Sequence, residues 1–208
     1  MRQRHELLAP VARVAAGWGV ATAARVTVGE AARGRPDRLV ARGRRLVLCA
    51  RAFGGSKTGP SPVNRRKPGS KHHLITDARG VPLAFLLTAA NRPDAGELAA
   101  LLEAIPPVRG KPGPPRQRPG ALLGDRGYHS ARAIDALQAR KIKPLIARQH
   151  SRHGSGLGKQ RWLVERTISW LHQHRRLRLR YERRADIHEA FLSIACSLIC
   201  YRALQGAF

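Results

Sequence analysis

The chain has 208 residues, 39 Lys plus Arg against 13 Asp plus Glu, a formal net charge of +26 and 43% apolar residues. That length suits one core with an appendage, and a charge so far above the needs of solubility points to a polyanionic partner, nucleic acid first. Three cysteines exclude a disulfide framework. Cys196 and Cys200, one helical turn apart in an apolar run, read as buried thiols in a reducing compartment and not as a zinc site. No stretch reads as the ~18 to 20 apolar residues of a membrane span, so the chain is expected to be cytoplasmic, without a membrane partner.

In chain order, residues 1–53 are dominated by Ala, Arg, Val and Gly, lack Lys and hold no sustained period of 2 or 3.6, so they are expected to be irregular. Order begins after that. Residues 57–71 form a basic, Pro-interrupted loop in which Lys57, Arg65, Arg66, Lys67 and Lys71 suit phosphate contact. A hairpin is predicted over 72–76 and 81–88, turning on Asp77-Ala78-Arg79-Gly80. A helix follows from Pro93, with Leu98, Leu101, Leu102 and Ile105 as its apolar stripe and Asp94 as a helix N-terminal charge. Residues 106–120 are a Pro- and Gly-rich linker.

Ala121-Leu122-Leu123-Gly124 is a short apolar run of the kind that fits a buried strand, and it delivers Asp125 at the strand's end. Ser130 or His129 caps a helix to about residue 140, and 142–147 is a second short strand. Strand, helix, strand implies a parallel pair, and with the upstream hairpin a mixed sheet flanked by helices. Residues 148–159 form a basic loop with Arg148, His150 and His153. A helix over about 160–175 has Trp162 and Ile168 as interior candidates, with Arg161 and Glu165 sharing a face at i and i+4. The last helix, about 186–204, is expected to pack the core through Ile187, Phe191, Ile194, Leu198 and Tyr201. His72, His73, His150 and His153 could touch phosphate; singly, each reads better as a solvated loop histidine. The Gly154-Ser155-Gly156-Leu157-Gly158 run by itself does not make a nucleotide-binding loop.

Gly59-Pro60-Ser61-Pro62-Val63, Pro68-Gly69-Ser70-Lys71-His72-His73, Asp125-Arg126-Gly127-Tyr128 and Trp162-Leu163-Val164-Glu165-Arg166, in this order, resemble a bacterial insertion-sequence transposase of the DDE class. The resemblance covers residues 54–208. It implies an α/β, RNase H-like catalytic core with an incomplete first strand. It implies metal-dependent cleavage and transfer of DNA strands, DNA partners at element ends and at the target, nucleoid association, and a homo-oligomer as one allowed state. Asp125 matches the family's second Asp and Glu165 its Glu, with Arg161 one turn before. Gly158 and His172 stand where the family often has an aromatic residue and a Lys. Arg126 and Arg166 join the DNA-binding candidates. Two Mg²⁺ or Mn²⁺ ions would use such hard oxygen ligands to activate a nucleophile and stabilise the leaving oxygen.

The family's first Asp should lie shortly before Gly54, and no acidic residue occurs between Asp37 and Asp77. Codons can be chosen for residues 34–51 such that a one-nucleotide shift yields a peptide resembling the family's first strand, with its Asp codon spanning Arg45 and Leu46. Residues 1–52 are therefore expected to be read out of frame, in a truncated or frameshifted transposase. An inactive DNA-binding remnant, keeping the basic surfaces without turnover, is the alternative.

Overall fold

A computed structural model describes residues 38–42, 48–51, 55–108, 115, 117–146 and 158–206. Its eight strands form one mixed sheet: β1 Arg38–Arg42, β2 Leu48–Arg51, β3 Gly59–Pro60, β4 Pro68–Thr76, β5 Pro82–Ala89, β6 Ala121–Gly124, β7 Lys143–Ile146 and β8 Leu179–Arg180. Among the described residues five α-helices accompany it: α1 Leu98–Glu103, α2 Ala131–Ala139, α3 Gly158–Gln173, α4 Arg175–Arg178 and α5 Ala185–Leu204.

β4 organises the sheet. It pairs antiparallel with β5 along one edge, and with both β1 and β2 along the other. β1 opposes its last residues (Val40 to Thr76) and β2 its first (Leu48 to Lys71). β1 is also parallel to β6, and β6 to β7, so one path across the sheet is β5, β4, β1, β6, β7. Residues 38–42 and 48–51 fall inside the segment expected to be irregular, yet both are extended and paired. Main-chain hydrogen bonds to two neighbours hold a central strand without any side-chain alternation of its own. Residues 1–37 lie outside the described residues.

The predicted hairpin is present and longer than the apolar pattern suggested, and its turn is tied by Asp77, whose carboxylate accepts from Arg79 N and Val81 N at 2.8 Å each. Strand alternation sorts the core into two layers. Ile75, Ala84 and Leu122 pack with Leu98, Leu101, Leu137 and Tyr128 under α1 and α2. Their neighbours Leu74 and Phe85 pack with Leu171, Leu177, Leu192, Ala195, Cys196 and Ile199 under α3, α4 and α5. Covering both faces buries all of β4 from Gly69 onward.

That burial corrects the loop reading of Lys71, His72 and His73. Lys71 Nζ sits 2.8 Å from Asp94 and also donates to Arg92 O; Asp94 is indeed in the first turn of its helix, a 3-10 turn over Asp94–Glu97. His73 reaches Tyr128 Oη at 3.2 Å and Thr88 Oγ1 at 2.8 Å. His72 stacks on His188, their Nε2 atoms 2.9 Å apart.

The last helix is in place, but turned. Its buried face is His188, Leu192, Ala195, Cys196, Ile199 and Cys200, whereas Ile187, Ile194, Leu198 and Tyr201 are exposed. Small Ala195 and Cys196 let the helix approach the sheet closely, which the bulkier stripe would not. Both thiols are buried, as expected, and burial pushes that of Cys200 up to about 12. By length and composition α5 is also apolar enough to cross a membrane, contrary to the expectation that no stretch would be. A third of that window is buried inside the protein.

Candidate active site

Asp125 follows β6 directly. Its backbone is still extended (φ −75°, ψ 163°), and its Oδ1 accepts from Arg126 N at 2.7 Å to cap a 3-10 turn over Arg126–Tyr128. Tyr128 closes that turn through its N–H on Asp125 O at 2.9 Å and buries its ring fully beneath α1 and α2. Burial, with Asp94 and Asp125 nearby, pushes its phenol far above the usual range, so it stays a neutral anchor. The Asp-Arg-Gly-Tyr run is thus a carboxylate at a strand tip, locked by a buried aromatic two residues past the arginine.

Glu165 is carried by α3. Val164, Ile168 and Leu171 form the buried stripe, and Val164 packs on Leu123 of β6. Because side chains alternate along an extended chain, Asp125 leaves β6 on the same face as Leu123, the face that α3 covers. The end of the sheet follows from register. Thr76 is level with Val40 and Val40 with Leu123, so the β4–β5 turn lies at the opposite end from Asp125. Thr167 Oγ1 donates to Gly80 O of that turn at 2.6 Å. Glu165, two residues earlier, is about 200° round the helix from Thr167 and so lies on the side toward Asp125. Glu165 is exposed. Glu165 is one residue and Asp125 two residues from the packed Val164–Leu123 contact.

The other candidates divide. Arg65, Arg66 and Lys67 are exposed in a loop closed by Ser61, whose backbone N–H donates to Lys67 O at 2.9 Å. Arg65 and Arg66 are left-handed there, with φ of 45° and 59°. Lys57 is exposed and reaches Glu189 at 2.6 Å. Arg126 is half-buried beside Asp125. Arg166 is stacked between Trp162 and Trp170, at 4.7 and 4.6 Å from the ring centres, and donates to Arg79 O. It pins α3 to the β4–β5 turn. Trp162 is therefore a surface platform, 51% exposed, and not the interior residue expected. Arg161 lies in α3, but its side chain, like Arg148, His150 and His153, lies outside the described residues.

Sequence reasoning missed Arg180, which is fully buried, and the Glu182–His188 contact at 3.4 Å beside it. A lone arginine in a basic stretch gives no signal of burial. His172, seven residues after Glu165 and on the same side of α3, has a buried Nε2 with no hydrogen-bond partner among the described residues. Burial, helped by Arg178, depresses its pKa. It lines a groove of about 460 Å³ with Gln173, Arg175, Arg178, Leu179 and Tyr181.

Among the described residues no group of three His, Cys, Asp or Glu gathers as a metal site. Two carboxylates on one face fit a hard divalent ion that takes its remaining ligands from water and phosphate oxygens. They do not by themselves fit a bridged pair of ions. The place for a third carboxylate would be in the first strand, level with Asp125, and residues 38–51 contain no acidic side chain.

The family model described as a transposase DDE domain matches residues 47–200, and the chain belongs to that family. It is 53% identical over 207 residues, the whole chain and 98% of the other protein, to the putative transposase for insertion sequence element IS402 of Burkholderia cepacia. That similarity runs through the N-terminal residues as well. No solved structure matches the chain.

Proposed function

We propose that this protein binds the ends of a mobile element, cleaves DNA strands there, and joins the freed 3′-hydroxyl to a target. The observation that carries the reading is the packing of Val164 on Leu123, a helix–strand contact from which Glu165 is one residue and Asp125 two residues away. The strand order supports an RNase H-like core: a first strand (β1 with β2) at the centre, the antiparallel β4–β5 hairpin on one side, and parallel β6 and β7 on the other. Asp125 and Glu165 would hold Mg²⁺ or Mn²⁺, which supplies Lewis acidity at the phosphate and lowers the pKa of a bound nucleophile.

The protein's own part is positioning. Oδ1 of Asp125 is fixed by Arg126 N. Val164 against Leu123 fixes the helix, and Arg166, gripped by two tryptophans, fixes its rotation. Arg65, Arg66 and Lys67 on their exposed loop, with Arg126 beside Asp125, supply charge for DNA phosphates.

The test is cleavage of labelled element-end duplex with Mg²⁺ present or chelated. Asp125→Ala and Glu165→Gln should each abolish cleavage while retaining DNA binding. Wild-type DNA binding without any metal-dependent cleavage would sink the catalytic reading and leave the inactive remnant. The out-of-frame reading of residues 1–52 stands as a proposal.

A further inference from the structure

The two buried histidines of β4 turn to opposite layers. His72 meets His188 of α5, and His73 meets Tyr128 under α1 and α2. The phenol oxygen of Tyr128 lies 3.2 Å from His73 Nδ1, and His73 Nε2 lies 2.8 Å from Thr88 Oγ1 on β5. Thr88 Oγ1 in turn donates to Ala89 O at 3.4 Å. A hydroxyl has one hydrogen, so Thr88 accepts from Nε2–H. Burial keeps the ring neutral, which leaves Nδ1 as the acceptor for the phenol. Every donor in the row Tyr128, His73, Thr88 then points the same way.

We propose that His73 is a positioning residue for Asp125: through the phenol of Tyr128 it sets where the carboxylate at the tip of β6 stands. The inference rests on the reading of Asp125 as a metal-binding group. The coupling is short. Arg126 N donates to Asp125 Oδ1 at 2.7 Å, Tyr128 N to Asp125 O at 2.9 Å and His129 N to Arg126 O at 3.0 Å, so ring, turn and carboxylate move as one piece.

That piece needs an anchor, because the last paired residue of β6 is Gly124 and the sheet ladder does not reach Asp125. Packing of the Tyr128 ring with Ile75, Leu98 and Leu137 is non-directional and does not stop the ring sliding along its long axis. A hydrogen bond at the polar end is directional and does. His73 supplies it from the middle of β4, where it is paired with Leu86 of β5. Histidine suits the place because it offers an acceptor to the phenol and a donor to Thr88 at a fixed separation, whereas the lysines and arginines so common in this chain have no acceptor.

Asparagine and glutamine divide the imidazole between them. The amide of His73→Asn reaches about as far as Nδ1 and can accept from Tyr128, and that of His73→Gln reaches about as far as Nε2 and serves Thr88. Asparagine leaves the larger void, so a histidine that merely fills the core predicts that His73→Asn does more damage. Positioning predicts the reverse. The experiment measures, on the full chain, hydrogen exchange of residues 125–129 without metal, and Mn²⁺ affinity by paramagnetic resonance with Asp125→Ala as the baseline. His73→Gln should speed exchange in that turn, leave exchange in α5 unchanged, and weaken Mn²⁺ binding on the order of tenfold. Tyr128→Phe, which keeps the ring in the core and removes only the hydroxyl, should do the same. His73→Asn should stay near wild type in both measurements. A His73→Gln variant with wild-type exchange and Mn²⁺ affinity, or a His73→Asn variant worse than His73→Gln in both, overturns the proposal. A wild type that binds Mn²⁺ no better than Asp125→Ala sinks the metal reading of Asp125 instead, and the exchange pattern by itself then decides whether His73 holds the turn.

Discussion

Replacing Arg180 by methionine tests how the region around β8 is held. The guanidinium is fully buried and donates to Ser70 Oγ at 2.6 Å, Glu182 O and Ser56 O at 3.0 Å, Arg183 O at 3.3 Å and Lys57 O at 3.4 Å. One side chain therefore joins the basic loop, β4 and the entry to α5. Methionine keeps much of the volume but strands these acceptors. A buried acceptor left without a donor costs about 1–3 kcal/mol. Ser56, Lys57 and Arg183 are at the surface, where water replaces the lost bonds, and Lys57 O also accepts from Ser70 Oγ, so two acceptors, Ser70 Oγ and Glu182 O, count in full. The sum is about 3–5 kcal/mol, the range found when one member of a buried charged network is removed. Against a total of about 5–15 kcal/mol this is a large fraction. At about 2–4 °C per kcal/mol for a chain of this size, Tm should fall by about 6–20 °C. Urea unfolding followed by tryptophan fluorescence measures it, with Arg180→Lys, which keeps charge but not the fork of donors, falling between. A methionine variant within about 1 kcal/mol of wild type would refute the reasoning.

Acid should destabilise the fold in a defined window. Burial holds His72 well below its usual pKa and lowers His73 to about 4, while the unfolded value is about 6.5. The unfolded chain then binds more protons below pH 6.5, so stability is full above that pH and is lost as pH falls toward 4, by about 2 kcal/mol at pH 5 from His73. His188, His172, Arg180, Lys71 and Asp94 surround these groups, and a urea midpoint constant from pH 7.5 to 5 contradicts the account. For DNA, the triple variant Arg65→Ala, Arg66→Ala, Lys67→Ala should lower the slope of log affinity against log salt by about 2–3. Lys71→Met should leave that slope unchanged and lower stability, because its charge is spent on Asp94; a reduced slope for Lys71→Met would reverse that assignment. The gene decides the reading-frame proposal: one nucleotide on, the codons of Arg45 and Leu46 should contain an aspartate codon, and any other codon there removes the proposal.

Local patterns determined a good deal of this protein by themselves. The run from Ala121 to Gly124 is too short and too uniformly apolar for a surface strand, and it delivered Asp125 to a strand end; Ser130 caps α2 by accepting from Ala133 N at 3.1 Å. The spacing of Arg161 and Glu165 is helical, and α3 is a helix. What only the tertiary structure decided is which face each element turns inward and what covers it. Helix α5 is apolar on two sides, so its periodicity offers two choices; the close fit of Ala195 and Cys196 against Leu74 and Phe85 selected the inner one and left Ile187, Ile194, Leu198 and Tyr201 outside. Lys71, His72, His73 and Arg180 look like solvent residues because polarity in the sequence records the cost of burial but not the partners that offset it. Those partners, Asp94, His188, Thr88 and Ser70, come from distant parts of the chain. Strands β1 and β2 carry no readable alternation, since their hydrogen bonds are made by backbone that any sequence possesses and their place is set by the neighbours that need a strand between them.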